Sequence, residues 1–417
     1  MSKIFISIAS YRDPQLIPTI EDAINNASKP ENLIFGIGWQ HSPEDEWDNL
    51  DKYKNDERFR IKDVHYLDSK GACWMRHEIQ KLYKNEAYYM QLDSHHRFVK
   101  DWDKQCIKMI KDLQKDGHKK PLLTAYISSF NPDNDPAERQ HEPWWMTFDR
   151  FIPEGAVFFL PATIPGWQEM TKPIPSRFLS AHFIFTLGSW AKEVPYDPEY
   201  YFHGEEISLA ARSYTWGYDL FHPHKVVAFH EYTRRGRTKQ WDDDKEWHLR
   251  NQAAHKKNRI LFGMDGEDSN SIDFGVYGFG KERTLDQYER YSGLKFSTRG
   301  IQQYTLNHNF APNPVIENLE EYNNSFSSVF KHCIDVWYNQ VPEKDYDFWC
   351  VAFENEKGET IYRRDSDKNE IENYFRDPDG YCKVWRTFNY VGKPTKWVVW
   401  PHSVSKGWCE KLEGTIA

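Results

Sequence analysis

The chain has 417 residues, 39% hydrophobic and 16% aromatic, with a formal net charge of −9 from 54 Lys and Arg against 63 Asp and Glu. That balance argues against a nucleic-acid partner and against a dedicated anionic-membrane protein, and the length allows two or three domains. Its aromatic content supplies large cores and also suits stacking against the apolar faces of sugars.

Met1 to Ile8 runs straight into a strand, without the longer apolar region and cleavage site of a signal peptide. No run approaches the ~18 apolar residues that cross a bilayer, so a soluble, cytoplasmic protein with no transmembrane segment is expected. The cysteines (Cys73, Cys106, Cys333, Cys350, Cys382 and Cys409) form no C-x-x-C pair. They are expected to be reduced thiols rather than a disulfide frame or a zinc site.

The apolar run Ile4 to Ala9 predicts a central parallel strand ending in the polar loop Ser10-Tyr11-Arg12-Asp13-Pro14. A helix follows, with Leu16, Ile20, Ala23 and Ile24 among the residues on its apolar face, and then a second strand over 33–39. This β-α-β unit places two parallel strands side by side. A weaker strand covers 61–66, and a helix opens at Ser69 to Arg76, where Gly71 admits close approach of a ligand and Arg76 could reach a phosphate or base.

Tyr88 to Leu92 is an apolar and aromatic run that stops at Asp93-Ser94-His95-His96. Open α/β sheets bind ligands at that carboxyl edge. Asp93 and His95 share one side of a strand, which favours His95 over His96. A carboxylate and an imidazole there suit an octahedral divalent ion, manganese or magnesium, better than structural zinc with its four closed ligands. A surface turn with Asp93 capping a helix is the alternative.

A helix is expected over 102–115 and a strand over 121–126, then a proline-bearing excursion over 128–150 whose Trp144 and Trp145 suggest an acceptor wall or packing against the sheet. Strands over 156–160 and 182–186 precede Gly204-Glu205-Glu206, where two carboxylates open a helix. Capping explains at least one of them, because acids are favoured in a first turn. The strand Val226 to Phe229 again ends in an imidazole, His230. The basic loop Thr233 to Lys239, with Arg235 and Arg237, reads as a clamp for a diphosphate or as a solvated loop. A polar helix over about 242–261 is followed by a linker or long loop over 265–300. Helical stretches are expected within 316–337, then strands over 347–353, 383–388 and 396–400 in a small β-rich domain.

In this order, the first loop, Gly71 to Arg76, Asp93-Ser94-His95, Gly204-Glu205-Glu206 and His230 resemble glycosyltransferase family sixty. They are more distantly similar to the polypeptide N-acetylgalactosaminyltransferases. The resemblance covers about residues 1–262. It implies an α/β fold of GT-A type, a Rossmann-like, mostly parallel central sheet flanked by helices over 1–264. The β-rich region over 301–417 lies outside the resemblance and is expected to be an accessory domain, with acceptor binding as its candidate role. The resemblance also implies a UDP-sugar donor (UDP-GlcNAc foremost), a divalent metal, and transfer with retention to a hydroxyl on a protein or glycan. By position, Asp93, His95 and His230 match the metal ligands. Ser10, Arg12, Asp13, Arg76, Ser94, Arg235 and Arg237 fall on the nucleotide side, Ala181 and His182 by the donor sugar, and Glu205 and Glu206 near the acceptor. A metal-dependent hydrolase and a carbohydrate-binding protein with an inactive transferase domain are the competing readings.

Overall fold

The computed structural model describes residues 2–233, 236–376 and 380–416, which divide into two compact units. The first comprises residues 1–297 and 304–315, the second 298–303 and 316–417.

The first unit is built on a mixed eight-stranded sheet. Strand β1 (Ile4–Tyr11) lies between β2 (Leu33–His41) and β4 (Tyr88–Asp93), parallel to both, and β3 (Phe59–His65) extends the parallel part beyond β2. Beyond β4 the order continues through an antiparallel strand at Phe183–Leu187, a strand at Pro121–Thr124 and one at Asp219–His222 to a short edge strand at Ile174–Pro175. The α/β, GT-A type sheet flanked by helices is therefore the one expected.

The alternation of side chains along β1 decides which helix packs where. Ile4, Ile6 and Ile8 face helix α1 (Leu16–Asn26) and helix α3 (Trp102–Lys115), burying Leu16, Ile20, Trp102 and Cys106 in one core. Phe5 points the other way, where α2 (Ala72–Gln80) lies so close to β2 that a Cβ at Gly38 would sit 2.3 Å from the Met75 side chain. Only glycine admits that approach, which sets α2 and its Arg76 against the sheet edge.

The excursion over 128–150 is not irregular throughout. Trp144–Phe151 pairs antiparallel with Val157–Thr163 as a two-stranded ribbon. The polar helix expected over 242–261 is two helices, Gln240–Asp243 and Trp247–Phe262. The contacts also divide the chain elsewhere than at the expected boundaries of 264 and 300. Buried Arg212 donates to the carbonyls of Pro195 (2.8 Å) and Val276 (3.3 Å), fastening the glycine-rich segment to the first unit. Arg177 holds residues 309–313 the same way, through the Asn313 side chain (2.7 and 2.9 Å) and the Asn309 carbonyl (2.6 Å). Buried guanidinium donors need acceptors, and these loops supply them.

In the second unit, the strands Ser328–Trp337 and Tyr381–Tyr390 pair antiparallel, and Tyr346–Glu354 pairs with Lys396–Ser403 in a separate sheet. Ile334, Val336, Trp349, Val351, Val384 and Val399 share its core. Within 316–337 the one described helix is Leu319–Asn324. The rest is largely strand, because Phe330, His332, Ile334 and Val336 alternate inward. All six cysteines are free thiols. Among the described residues no helix is long and apolar enough to cross a membrane.

Candidate active site

The apolar run of β4 ends at the sheet's carboxyl edge, where Asp93 lies beside Ala9 of β1. The chain turns at once into β5 (His96–Phe98), which pairs antiparallel with Ala228–His230, so that His230 stands opposite His96. That three-residue pairing closes a gap of 137 positions. Ligand atoms of Asp93, His95 and His230 all lie within 4.8 Å of one another. His230 Nε2 is 3.3 Å and His95 Nε2 3.7 Å from Asp93 Oδ2.

The surroundings fit a divalent cation. His95 Nδ1 is held 2.7 Å from Asp13 Oδ2, the carboxylate-behind-imidazole arrangement that orients a metal ligand. Ser94 Oγ donates to the same oxygen at 2.6 Å. Burial would raise the Asp13 carboxyl, but His95, Arg237 and Ser94 together hold it well below the usual range. Asp93 behaves alike: burial raises it, and His230, Arg76 and His95 bring it far down. Burial, with His182 next to it, keeps the His230 imidazole neutral, the form that ligates. One carboxylate and two imidazoles leave positions for phosphate oxygens, as manganese or magnesium requires and a closed zinc site does not.

These groups line a cleft of about 480 Å³ that also contains Arg76, Ala181, His182, Glu205, Glu206 and Arg237. Arg76 Nη2 lies 2.6 Å from Asp93 Oδ1 and its Nη1 4.0 Å from Glu205 Oε1. Helix α4 (Glu205–Thr215) begins at Gly204, whose φ of 98° turns the chain so that both glutamates enter the cleft wall. Glu206 accepts hydrogen bonds from the Ala181 amide (2.9 Å) and the Tyr126 hydroxyl (2.7 Å). Burial pushes both carboxyls up, and the charge of Glu206 raises Glu205 further. The His182 ring stacks 4.2 Å from that of His230, and burial lowers its pKa to about 3.

Two expected nucleotide ligands do not line the cleft. Ser10 is buried at the end of β1, where its carbonyl accepts from the Gln40 amide at 3.0 Å. Arg12 is engaged by Asp45 (2.7 and 3.1 Å) and Asp243 (3.1 Å). Arg235 lies outside the described residues. Arg237 is inside the cleft, paired with Glu231 (2.7 Å) and Asp13 (3.3 Å), and its Nη1 lies 2.9 Å from His95 Nε2. Trp144 and Trp145 do not line the cleft either: Trp145 packs against Phe310. Phe158, Phe202 and Trp241 form the aromatic wall instead. Tyr126, Glu231 and Tyr232 were not singled out from the sequence. Tyr126 ends a short apolar run as Asp93 does, and Glu231 follows the strand-terminal His230, so strand-end position was the signal for both.

Asp93, His95 and His230, whose ligand atoms could hold a metal ion, thus share a cleft at the carboxyl edge of a mixed α/β sheet with the acidic pair Glu205 and Glu206. The glycosyltransferase (GlcNAc) family profile matches residues 3–58 and 48–298, and the chain belongs to that family. No curated protein matches the chain. Among solved structures it is similar to GalNAc-T7 crystallised with UDP, GalNAc and Mn2+, at 11% identity and a TM-score of 0.42 over 69% of this chain and 54% of that one. It thus spans about half of the GalNAc-T7 chain. It is also similar to S. aureus TarS 1–349 in complex with UDP-GlcNAc, at 12% identity and a TM-score of 0.38 over 65% of this chain and 76% of that one.

Proposed function

We propose that the chain is a metal-dependent, retaining glycosyltransferase that moves N-acetylglucosamine from UDP-GlcNAc to an acceptor hydroxyl on a protein or glycan, in the cytoplasm. The observation that carries the reading is the convergence of Asp93, His95 and His230 in the cleft that also holds Glu205 and Glu206. Ser94, Asp13 and Arg76 orient these ligands, and the wall from Ala181 to His182 receives the donor sugar. When bound, a divalent cation supplies Lewis-acid neutralisation of the diphosphate.

Breaking the bond from the anomeric carbon to the diphosphate puts negative charge on the departing oxygen. Arg237, beside the triad, stabilises that charge by turning its fork from Asp13 and Glu231 to the phosphate. The anomeric carbon becomes oxocarbenium-like. In front-face attack the departing phosphate takes the acceptor's proton, so no protein base is required. Glu205 and Glu206, whose carboxyls burial raises, bind sugar or acceptor hydroxyls.

Thermal unfolding tests this directly. UDP and manganese together are expected to raise Tm, while neither does so alone, because a ligand stabilises only the state that binds it. No UDP effect in any metal would sink the reading. A panel of UDP-sugars scored by UDP release then identifies the donor. His230→Ala is expected to weaken manganese-dependent UDP binding by at least about 10- to 100-fold, the loss that follows even when only a partner behind a metal ligand is removed. A normal manganese titration would remove His230 from the site.

A further inference from the structure

We infer that Asp243 positions the nucleotide end of the cleft by tying the Gln240–Asp243 helix to the carboxyl end of β1 and the loop after it, through Tyr11 and Arg12. The inference rests on the cleft being a UDP-sugar site. Asp243 Oδ2 accepts from the Tyr11 hydroxyl at 2.7 Å and from Arg12 Nη1 at 3.1 Å, across more than 230 positions of sequence. The other edge of the Arg12 guanidinium pairs bidentately with Asp45, and its Cζ lies 4.7 Å from the centroid of the Tyr66 ring. Arg12 holds this place with φ at +44°, in the left-handed region that non-glycine residues rarely adopt.

A lone surface ion pair would mean little. This one is a network of four partly buried groups, and the elements it joins are walls of the cleft. Tyr11, Gln240 and Trp241 all line it. Gln240, three residues before Asp243 and so on the same side of the helical turn, donates to the Ser69 carbonyl at 3.2 Å and accepts from Tyr201. The short helix is therefore fastened at two points, Gln240 to the loop before α2 and Asp243 to the loop after β1. The loop after β1 carries Asp13, and the loop before α2 carries Gly71 and leads into Arg76, so both border the nucleotide side of the cleft. With its donors committed to Asp45 and Asp243, Arg12 acts on the nucleotide through this tie and not as a phosphate ligand. Loosening the tie widens the wall around bound nucleotide without touching the triad or the acidic pair, so binding weakens while the chemical step is spared.

The test compares wild type, Asp243→Asn, Asp243→Ala and Tyr11→Phe. Calorimetry with UDP and manganese and steady-state kinetics with UDP-GlcNAc are read beside amide hydrogen exchange over residues 240–243. Asp243→Ala is expected to raise both the UDP Kd and the donor KM about tenfold, with kcat within about twofold, and to speed exchange. Asp243→Asn keeps an acceptor for Tyr11 and falls between, and Tyr11→Phe, which leaves every charge in place, shows a smaller shift of the same kind. Unchanged Kd and KM overturn the inference, as does a fall in kcat at constant KM. If wild type binds no UDP in any metal, the transferase reading fails and the nucleotide role with it. Exchange over 240–243 then still reports whether the tie holds the helix.

Discussion

Replacing Asp93 with alanine is expected to lower transfer by about a thousandfold or more and to abolish manganese-dependent UDP binding. Asp93 faces both the histidines of the triad and a buried cation. Oδ2 looks toward His95 and His230, and Oδ1 is bound by Arg76 at 2.6 Å. Loss of the metal's charge neutralisation alone is worth several kcal/mol at the transition state. The same geometry predicts a cost in stability, because Arg76 is buried and its next carboxylate, Glu205, is 4.0 Å away. Leaving one member of a buried pair uncompensated costs about 3 kcal/mol. Asp93→Asn, which keeps an oxygen for Arg76, is expected to be equally inactive and distinctly more stable than Asp93→Ala. Calorimetric titration of manganese, thermal unfolding and UDP release on both variants separate the two effects. An Asp93→Asn enzyme with normal manganese affinity would refute the ligand assignment.

The parts of this site that were legible in the sequence are those fixed by short range. An apolar run stopped by Asp93 and His95 reads as a strand end, and the same pattern marks His230. What joins them was not legible, because the pairing of His96 with His230 spans only three residues and leaves no periodic signal. Arg12 went astray for the same reason. Its motif position resembles that of a nucleotide ligand, yet its partners Asp45 and Asp243 are chosen by tertiary packing. Trp144 and Trp145 looked available to an acceptor until the ribbon pairing of Trp145 with Ala162 fixed which side of the strand each occupies. In the second unit, helical stretches were expected within 316–337, whereas Phe330, His332, Ile334 and Val336 alternate inward with the period of a strand.

The acidic pair gives the second large effect, with a sign that separates function from stability. Glu205→Gln is expected to lower kcat by about 10- to 100-fold, the consequence of losing a hydrogen-bonding carboxyl aimed at a substrate hydroxyl. Its effect on the folded state runs the other way. In the folded protein both carboxyls are raised above their ordinary value of 4.5, by burial first. A folded state that holds its proton more tightly than the unfolded chain has this stabilisation in full below about pH 4.5. The stabilisation is lost as pH rises through the raised value. Wild type therefore loses stability toward alkaline pH at these positions, and an amide, which cannot ionise, does not. Unfolding scans from pH 5 to 9 are expected to show the Tm of Glu205→Gln drawing ahead of wild type as pH rises, while its activity stays low throughout. Parallel curves would mean that Glu205 is an ordinary ionised carboxylate. An acid pair raised by burial in a cleft wall points to chemistry, because packing alone would favour amides or apolar residues there.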